Sequence, residues 1–316
     1  MVYFLLGEDR RLVLKGLRPK AREISVSDSL RGWSWSSPPV EPPYDVSLPL
    51  YEIAANYCES GRDVYLRHVE GVKPRRTKEM VGGLLYHETV SRIFLEAKAF
   101  LYRYGTRSGW EVGSFLREIM GKSIRRIVGG SQRAIREAAM GGDDLRRVMI
   151  GMRRIWSYAT NQIVASVDRI LAMQPYIGID ALVHGAIPFV TECRLDGRHL
   201  GLSGSLSVDA FALESIILDL KTGEPRDFHR LTTTGYALVY ESVNEYPIDI
   251  GCITYVSFRD DLPVPRIRRV FHVIGDEDRQ DFLEARDRKM RIVYEEIDPG
   301  KPRRCYPKCP YMEQCA

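Results

Sequence analysis

The sequence predicts an α/β sandwich, and three observations predict it. Residues 187–222 divide into three short apolar runs separated by Gly- and Ser-containing turns, which read as three strands. A helical segment and a fourth strand follow, giving strand–strand–strand–helix–strand rather than a regular βαβ repeat. A long segment with helical spacing, carrying His87, precedes the set.

Taken in order, residues 1–30 are expected as short extended segments of alternating character. From Arg31 to Pro49 the composition turns to Ser, Pro and Trp, which excludes a helix and predicts an ordered arm packed through Trp33 and Trp35. A helix is expected from Thr77 to Tyr104, with Met80, Leu84, Val90, Phe94, Ala97 and Leu101 as its inward stripe. His87 falls on that stripe. A lone histidine there is most often a satisfied core group. Gly82 and Gly83 just before it cost helix stability and imply close backbone approach, which favours a ligand.

Residues 110–172 continue as arginine-rich helices. Gly121-Lys122-Ser123 imitates the end of a phosphate-binding loop, but the leading glycine is replaced by Leu116 and the setting is helical, so that reading fails. Strands are expected at Ile187–Arg194, Gly201–Leu213, Ser215–Thr222 and Ile248–Phe258, with a helix at His229–Asn244 and a further strand at Arg266–Ile274. The charged helix Asp276–Glu296 is expected to turn Phe282, Leu283, Met290 and Val293 inward.

With 316 residues, 44% hydrophobic and 28% charged, the chain has the composition of a globular protein with a full core. No apolar run approaches the roughly 20 residues of a membrane span. The start is apolar only briefly and then charged, a poor signal peptide, so a cytoplasmic protein without a membrane partner is expected. The net charge is +4, and 36 of the 46 basic residues are arginine, which suits bidentate phosphate contacts. Heat adaptation explains the bias equally well, as it does the low total of 8 Asn and Gln.

Asp209 and Asp219 each sit inside an apolar run, where a charge is costly unless compensated. Lys221 lies two residues beyond Asp219, so on a strand both project to one face beside Ile217. Two carboxylates, a histidine and a lysine suit metal-dependent hydrolysis of a phosphodiester. Carboxylate oxygens favour Mg²⁺ or Mn²⁺, and the imidazole favours Mn²⁺. The rival reading is an edge-strand salt bridge. Lys221-Thr222-Gly223 also matches one motif of serine acyl-enzymes, but no lysine has Ser three positions before it.

Of six cysteines, Cys193 and Cys252 fall within strands and are expected in the core. Cys305, Cys309 and Cys315 cluster in a proline-containing loop, and Cys58 is the free candidate for a fourth thiolate. Such a set suits zinc or an iron–sulfur cluster.

On these motifs the chain resembles the RecB-like nucleases of the PD-(D/E)xK superfamily. More closely, it is similar to the CRISPR-associated exonucleases with a four-cysteine iron–sulfur cluster, in the archaeal variant found beside type I-A systems. The resemblance runs from Tyr51 to Cys315 and rests on Gly83-x3-His87, Asp209, Asp219-Leu220-Lys221, the helix with Tyr236, and the one-plus-three cysteines. It implies a restriction-endonuclease-like core with a helical insert and an iron–sulfur module. It further implies a Mn²⁺ or Mg²⁺ ion held by His87, Asp209, Asp219 and the Leu220 carbonyl, with Lys221 catalytic and Cys58, Cys305, Cys309 and Cys315 on a 4Fe-4S cluster. Tyr236 and the residue four before it would bind substrate. The family carries glutamine at that position and this chain carries Thr232. Glu192 is a candidate supporting acid.

The implied organisation is an N-terminal extended arm (1–50), a segment with the first cluster ligand and the His-bearing helix (51–104), a helical insert (105–175), a nuclease β core (176–275) and a C-terminal helix with the cysteines (276–316). The implied activity is trimming of single-stranded DNA ends during CRISPR spacer acquisition, with integrase proteins as partners. A weakly active DNA-binding scaffold and a RecB-like repair nuclease are the alternatives.

Overall fold

In the computed structural model, which describes residues 7–212 and 215–315, a five-stranded sheet separates two helical layers. The strands are β1 (Phe189–Leu195), β2 (Leu206–Ala212), β3 (Ile216–Lys221), β4 (Ile250–Ser257) and β5 (Arg266–Val273), and their spatial order follows the chain. All neighbours are antiparallel except β3 and β4, which run parallel. The helix Arg230–Asn244 makes that crossover, as a parallel pair requires. Each expected strand forms, most of them shortened at one or both ends; β1 starts two residues later than expected and ends one later, and Leu213 lies outside the described residues.

Strand alternation sorts the two layers. Ile216, Leu218 and Leu220 face a core shared with the helices Lys78–Tyr104 and Gly142–Met173, while Ile217 faces the core under Arg230–Asn244. In the insert, Trp156 is fully buried and donates its indole N–H to the Leu116 carbonyl at 2.8 Å, joining the helices Gly109–Gly130 and Gly142–Met173. A short helix, Ile179–Ala186, precedes β1 where only sheet was expected. Its buried Leu182, Val183 and Ala186 follow helical spacing.

The N-terminal expectation is corrected. Residues 7–24 are helical, not extended, and residues 1–6 lie outside the described ones. Val13 and Ala21 are buried, with half-buried Leu17 between them, so one side turns inward every fourth residue. Asp9 pairs with Arg269 of β5 at 3.3 Å. The Trp-containing arm that follows is ordered: Trp35 stacks on His199 at 4.4 Å, and Arg31 lies over the Trp33 ring.

A buried ionic knot pins this arm. Glu241, on the helix Arg230–Asn244, is fully buried and accepts from Arg31 and from both terminal nitrogens of Arg279, at 2.7–2.8 Å. It also accepts from the Gly32 and Ile248 backbone N–H groups. Gly32 fits because it has no side chain: a Cβ there would lie 1.9 Å from the Leu238 carbonyl oxygen. The helix Asp276–Glu295 buries Phe282, Leu283 and Met290 as expected, with Val293 half-buried, but it also buries Arg279, Arg286 and Lys289. Arg286 donates to the carbonyls of Pro39, Val40 and Glu41, and Lys289 to those of Glu52, Ile53 and Ala55. These cations hold backbone that no helix or sheet satisfies.

His272 of β5 carries a testable pH dependence. Burial pushes its imidazole down to about 4, with Arg230 adding to the effect. The ring lies across from Gly251 in register and meets Thr233 Oγ1 at 3.1 Å. The unfolded chain protonates it near the ordinary 6.5, so between about 6.5 and 4 the unfolded state binds more protons. Stability is therefore expected to fall as pH drops through that window, by on the order of 2–3 kcal/mol from this group. Urea midpoints at several pH values measure this, and a His272→Asn variant with an unchanged acid slope would refute it.

Candidate active site

His87, Asp209, Asp219 and Lys221 meet at one end of the sheet, where β2 and β3 part. The β2–β3 ladder ends at the pair Ala210↔Leu218. Continuing its register by one residue sets Asp209 opposite Asp219, an arrangement of like charges that a sheet disfavours. Instead of a ladder bond, the Leu220 N–H donates to Asp209 Oδ2 at 2.8 Å. His87 Nδ1 lies 3.1 Å from Asp209 Oδ1. Lys221 Nζ lies 3.3 Å from Asp219 Oδ1 and 3.0 Å from Oδ2, so the two residues share a face as strand spacing required.

Electrostatics separate the two acids. For Asp209, burial works upward but is outweighed by His87, the Leu220 N–H and Lys221, leaving its pKa low. Burial pushes Asp219 up to about 6 despite Lys221, and the facing Asp209 adds to the rise. For His87, burial works downward and Asp209 overrides it, so its pKa is raised. Lys221 behaves alike: burial opposes its charge and the two aspartates restore it. An acid on the edge of protonation, facing a second acid, is short of positive charge.

His87 sits on the face expected, and that face is core only from Val90 onward, where Val90, Phe94, Ala97 and Leu101 are buried. Met80 and Leu84, expected inside, are 50% and 46% exposed, while Val81 and Leu85 take the buried positions. The first two turns of this helix border an open cleft of ≈ 2480 Å³, and Met80, Gly83 and His87 line it. Gly83 allows close approach, since a Cβ there would stand 3.2 Å from Thr222 Oγ1. Thr232 and Tyr236, one helical turn apart, line the same cleft. The Tyr236 hydroxyl is occupied, donating to the Ser207 carbonyl at 2.7 Å, and burial raises its pKa far above the usual phenol value. Glu192 accepts at 2.6 Å from Oγ of Ser207, whose backbone carbonyl takes the Tyr236 hydroxyl.

Sequence reasoning missed a second row of groups beside Lys221. Tyr255 lies next to Lys221 across the β3–β4 pair. Its hydroxyl is 3.0 Å from His229 Nδ1, and His229 Nε2 is 3.3 Å from the Tyr57 hydroxyl. Burial lowers His229 to about 4, with Lys221 and Arg226 adding to it, so the ring is neutral near pH 7. The available signal was adjacency: Tyr57 precedes Cys58 and Tyr306 follows Cys305.

Cys58, Cys305 and Cys309 border the same cleft. Folding carries Cys58 to the C-terminal cysteines: burial pushes the Cys309 thiol up, and neighbouring Cys58, Asp63 and Cys315 add to the rise. Cys315 Sγ accepts from Arg62 at 3.6 Å, and Cys305 is exposed. No cysteine among the described residues is in a disulfide. Cys252 is fully buried and Cys193 half-buried in the sheet.

Among the described residues, no three His, Cys, Asp or Glu side chains close into a metal-holding group as they stand. The active-site donor set nevertheless suits a hard divalent cation. Asp219 Oδ2 is buried without a hydrogen bond, its ion pair with Lys221 apart, and it faces a second carboxylate backed by an imidazole. Cys58 and Cys315 lie near enough to Cys309 to act on it electrostatically, Cys305 borders the same cleft, and four thiolates suit a thiophilic centre. No helix among the described residues is long and apolar enough to cross a membrane.

Comparison with known proteins gives the family. A family model described as CRISPR-associated exonuclease Csa1 matches residues 1–316. A CRISPR-associated exonuclease Csa1 of Saccharolobus solfataricus is 33% identical over 308 residues, covering 96% of this chain and 97% of that protein. One from Thermoproteus tenax is 28% identical over 290 residues, covering 92% and 91%. No solved structure matches the chain. The chain belongs to the Csa1 family of CRISPR-associated exonucleases.

Proposed function

We propose that this protein is a divalent-metal-dependent deoxyribonuclease that trims single-stranded DNA ends during acquisition of CRISPR spacers. The observation that supports it most is the meeting of His87, Asp209, Asp219 and Lys221 in one open, arginine-rimmed cleft. A Mn²⁺ or Mg²⁺ ion held by His87, Asp209, Asp219 and the Leu220 carbonyl would supply Lewis acidity to the phosphodiester and acidify water. Lys221 is held charged beside Asp219 and offsets the negative charge that builds on the phosphoryl oxygens. Asp209, backed by His87 and the Leu220 N–H, stays ionised through the reaction.

Shortening of end-labelled single-stranded DNA with Mn²⁺ tests the reading, with no product in any divalent metal as the result against it. Co-purification with integrase proteins tests the place in spacer acquisition. One observation favours a second reading, a DNA-binding scaffold that cleaves weakly. The Tyr236 hydroxyl is bound to Ser207 and Thr232 replaces the longer glutamine, so neither reaches substrate as the family pattern does.

The same proposal places a 4Fe-4S cluster on Cys58, Cys305, Cys309 and Cys315, tying the two ends of the chain together. Ligation would contribute folding energy directly. Anaerobically purified protein is expected to be brown, with iron and sulfide; stoichiometric zinc without iron would refute the cluster. Cys58→Ser or Cys309→Ser is expected to lose iron and to lower the unfolding midpoint by roughly 5–10 °C before it affects cleavage.

A further inference from the structure

Between the cysteines and Lys221 lies a row of aromatic rings to which the catalytic reading gives no task. Tyr57 meets Tyr306 at 4.8 Å and 38°, and Phe228 at 4.9 Å and 84°. All three line the cleft, and none is buried: Tyr57 is 39% exposed and the other two are half-buried. Core aromatics bury their faces against aliphatic neighbours, whereas these keep part of theirs toward an opening rimmed by Arg226, Arg268 and Arg304.

The row is also held in place. The Tyr57 hydroxyl is bound to His229, and His229 in turn to Tyr255, which stands beside Lys221 in register. A neutral imidazole donates through one ring nitrogen and accepts through the other, so both hydroxyls are satisfied with no net charge. The three rings come from distant parts of the chain, one before Cys58, one after Cys305 and one just before the helix Arg230–Asn244. Tyr57 is thus tied to the strand pair that carries Lys221, and Phe228 and Tyr306 are set by their ring contacts with Tyr57.

We infer that Tyr57, Phe228 and Tyr306 form a stacking platform for an unpaired nucleobase of the DNA strand whose phosphodiester lies at Lys221. Every base offers a π-face, so such a platform accepts any sequence but requires the base to be unstacked from a partner strand. The surrounding guanidinium groups take the phosphates on either side. This inference rests on the nuclease reading and adds to it a physical reason for single-strand preference: a base held in a duplex cannot present its face to Tyr57.

The test is a binding measurement in EDTA, so that no strand is cut. Fluorescent single strands carry one abasic nucleotide, moved a position at a time from each end. Wild-type protein is expected to bind at least one abasic strand about tenfold more weakly than the intact strand. Tyr306→Ala and Tyr57→Ala are expected to abolish that difference, and Tyr57→Phe, which keeps the ring, to retain it. Equal binding of every abasic strand by the wild type overturns the platform, whether or not the alanine variants fold. So does loss of the difference in Tyr57→Phe, which would assign the effect to the hydroxyl. If that occurs while wild type still shortens DNA in Mn²⁺, the nuclease reading stands alone. Absence of both DNA binding and cleavage removes the two together.

Discussion

Lys221→Ala is expected to lower metal-dependent cleavage of single-stranded DNA about 10²–10³-fold, the usual cost of removing one preorganised charge from a phosphoryl- or acyl-transfer site. The ammonium is half-buried beside Asp219 at 3.0 Å, where burial works against its charge and the two aspartates outweigh it. Its charge is thus paid for by the two aspartates and directed at the place where a phosphodiester would sit. Asp219→Asn should match or exceed that loss, because it keeps shape and removes the negative charge a cation needs. Both variants are to be compared with wild type on one end-labelled strand, with circular dichroism confirming the fold. Equal rates in wild type and either variant would remove the active site from this cleft. Absence of cleavage in all three would favour the scaffold reading, which the committed Tyr236 hydroxyl supports.

Glu241→Ala carries the largest expected stability effect, about 3–5 kcal/mol, because breaking a buried pair strands the remaining charge. Here wholly buried Arg279 would keep only Asp249 at 3.7 Å and two backbone carbonyls, Arg31 would keep its pair with Asp249, and the Gly32 and Ile248 N–H groups would lose their acceptor. Glu241→Gln keeps the volume but not the charge, and should fall between the two. Urea unfolding at pH 7 measures both. A loss below about 1 kcal/mol for the alanine variant would mean that the knot contributes specificity to the arm rather than stability. The knot lies on the far side of the helix Arg230–Asn244 from Thr232 and Tyr236, and no hydrogen bond links it to Lys221 or Asp219. A folded Glu241→Gln protein should therefore keep its cleavage rate within about twofold.

Local periodicity made the central part of this protein legible. Strand alternation alone places Asp219 and Lys221 on one face beside Ile217, and the structure keeps them there. That relation depends only on the two-residue repeat of a strand, which no packing partner alters. Helical spacing likewise put His87 on the side of Met80, and both line the cleft. Its environment was misjudged, because apolar residues at a helix start look the same whether another element covers them or a cleft does. Only the placement of the insert helices against Val81 and Leu85 decides that.

The remaining features depend on how separate elements meet. The approach of Asp209 to Asp219 follows from the β2–β3 register and from where that ladder ends. The three cations inside the helix Asp276–Glu295 look like a solvated face in the sequence, because their partners are backbone carbonyls and a glutamate from other segments. Tyr57, Phe228 and Tyr306 have no shared spacing to reveal them. What the sequence by itself determined is the chemistry, two acids, a histidine and a lysine, since residue type and local repeat suffice for that. What only folding decided is which charges meet and which faces stay open, because burial and Coulomb energy depend on distances that the order of residues does not contain.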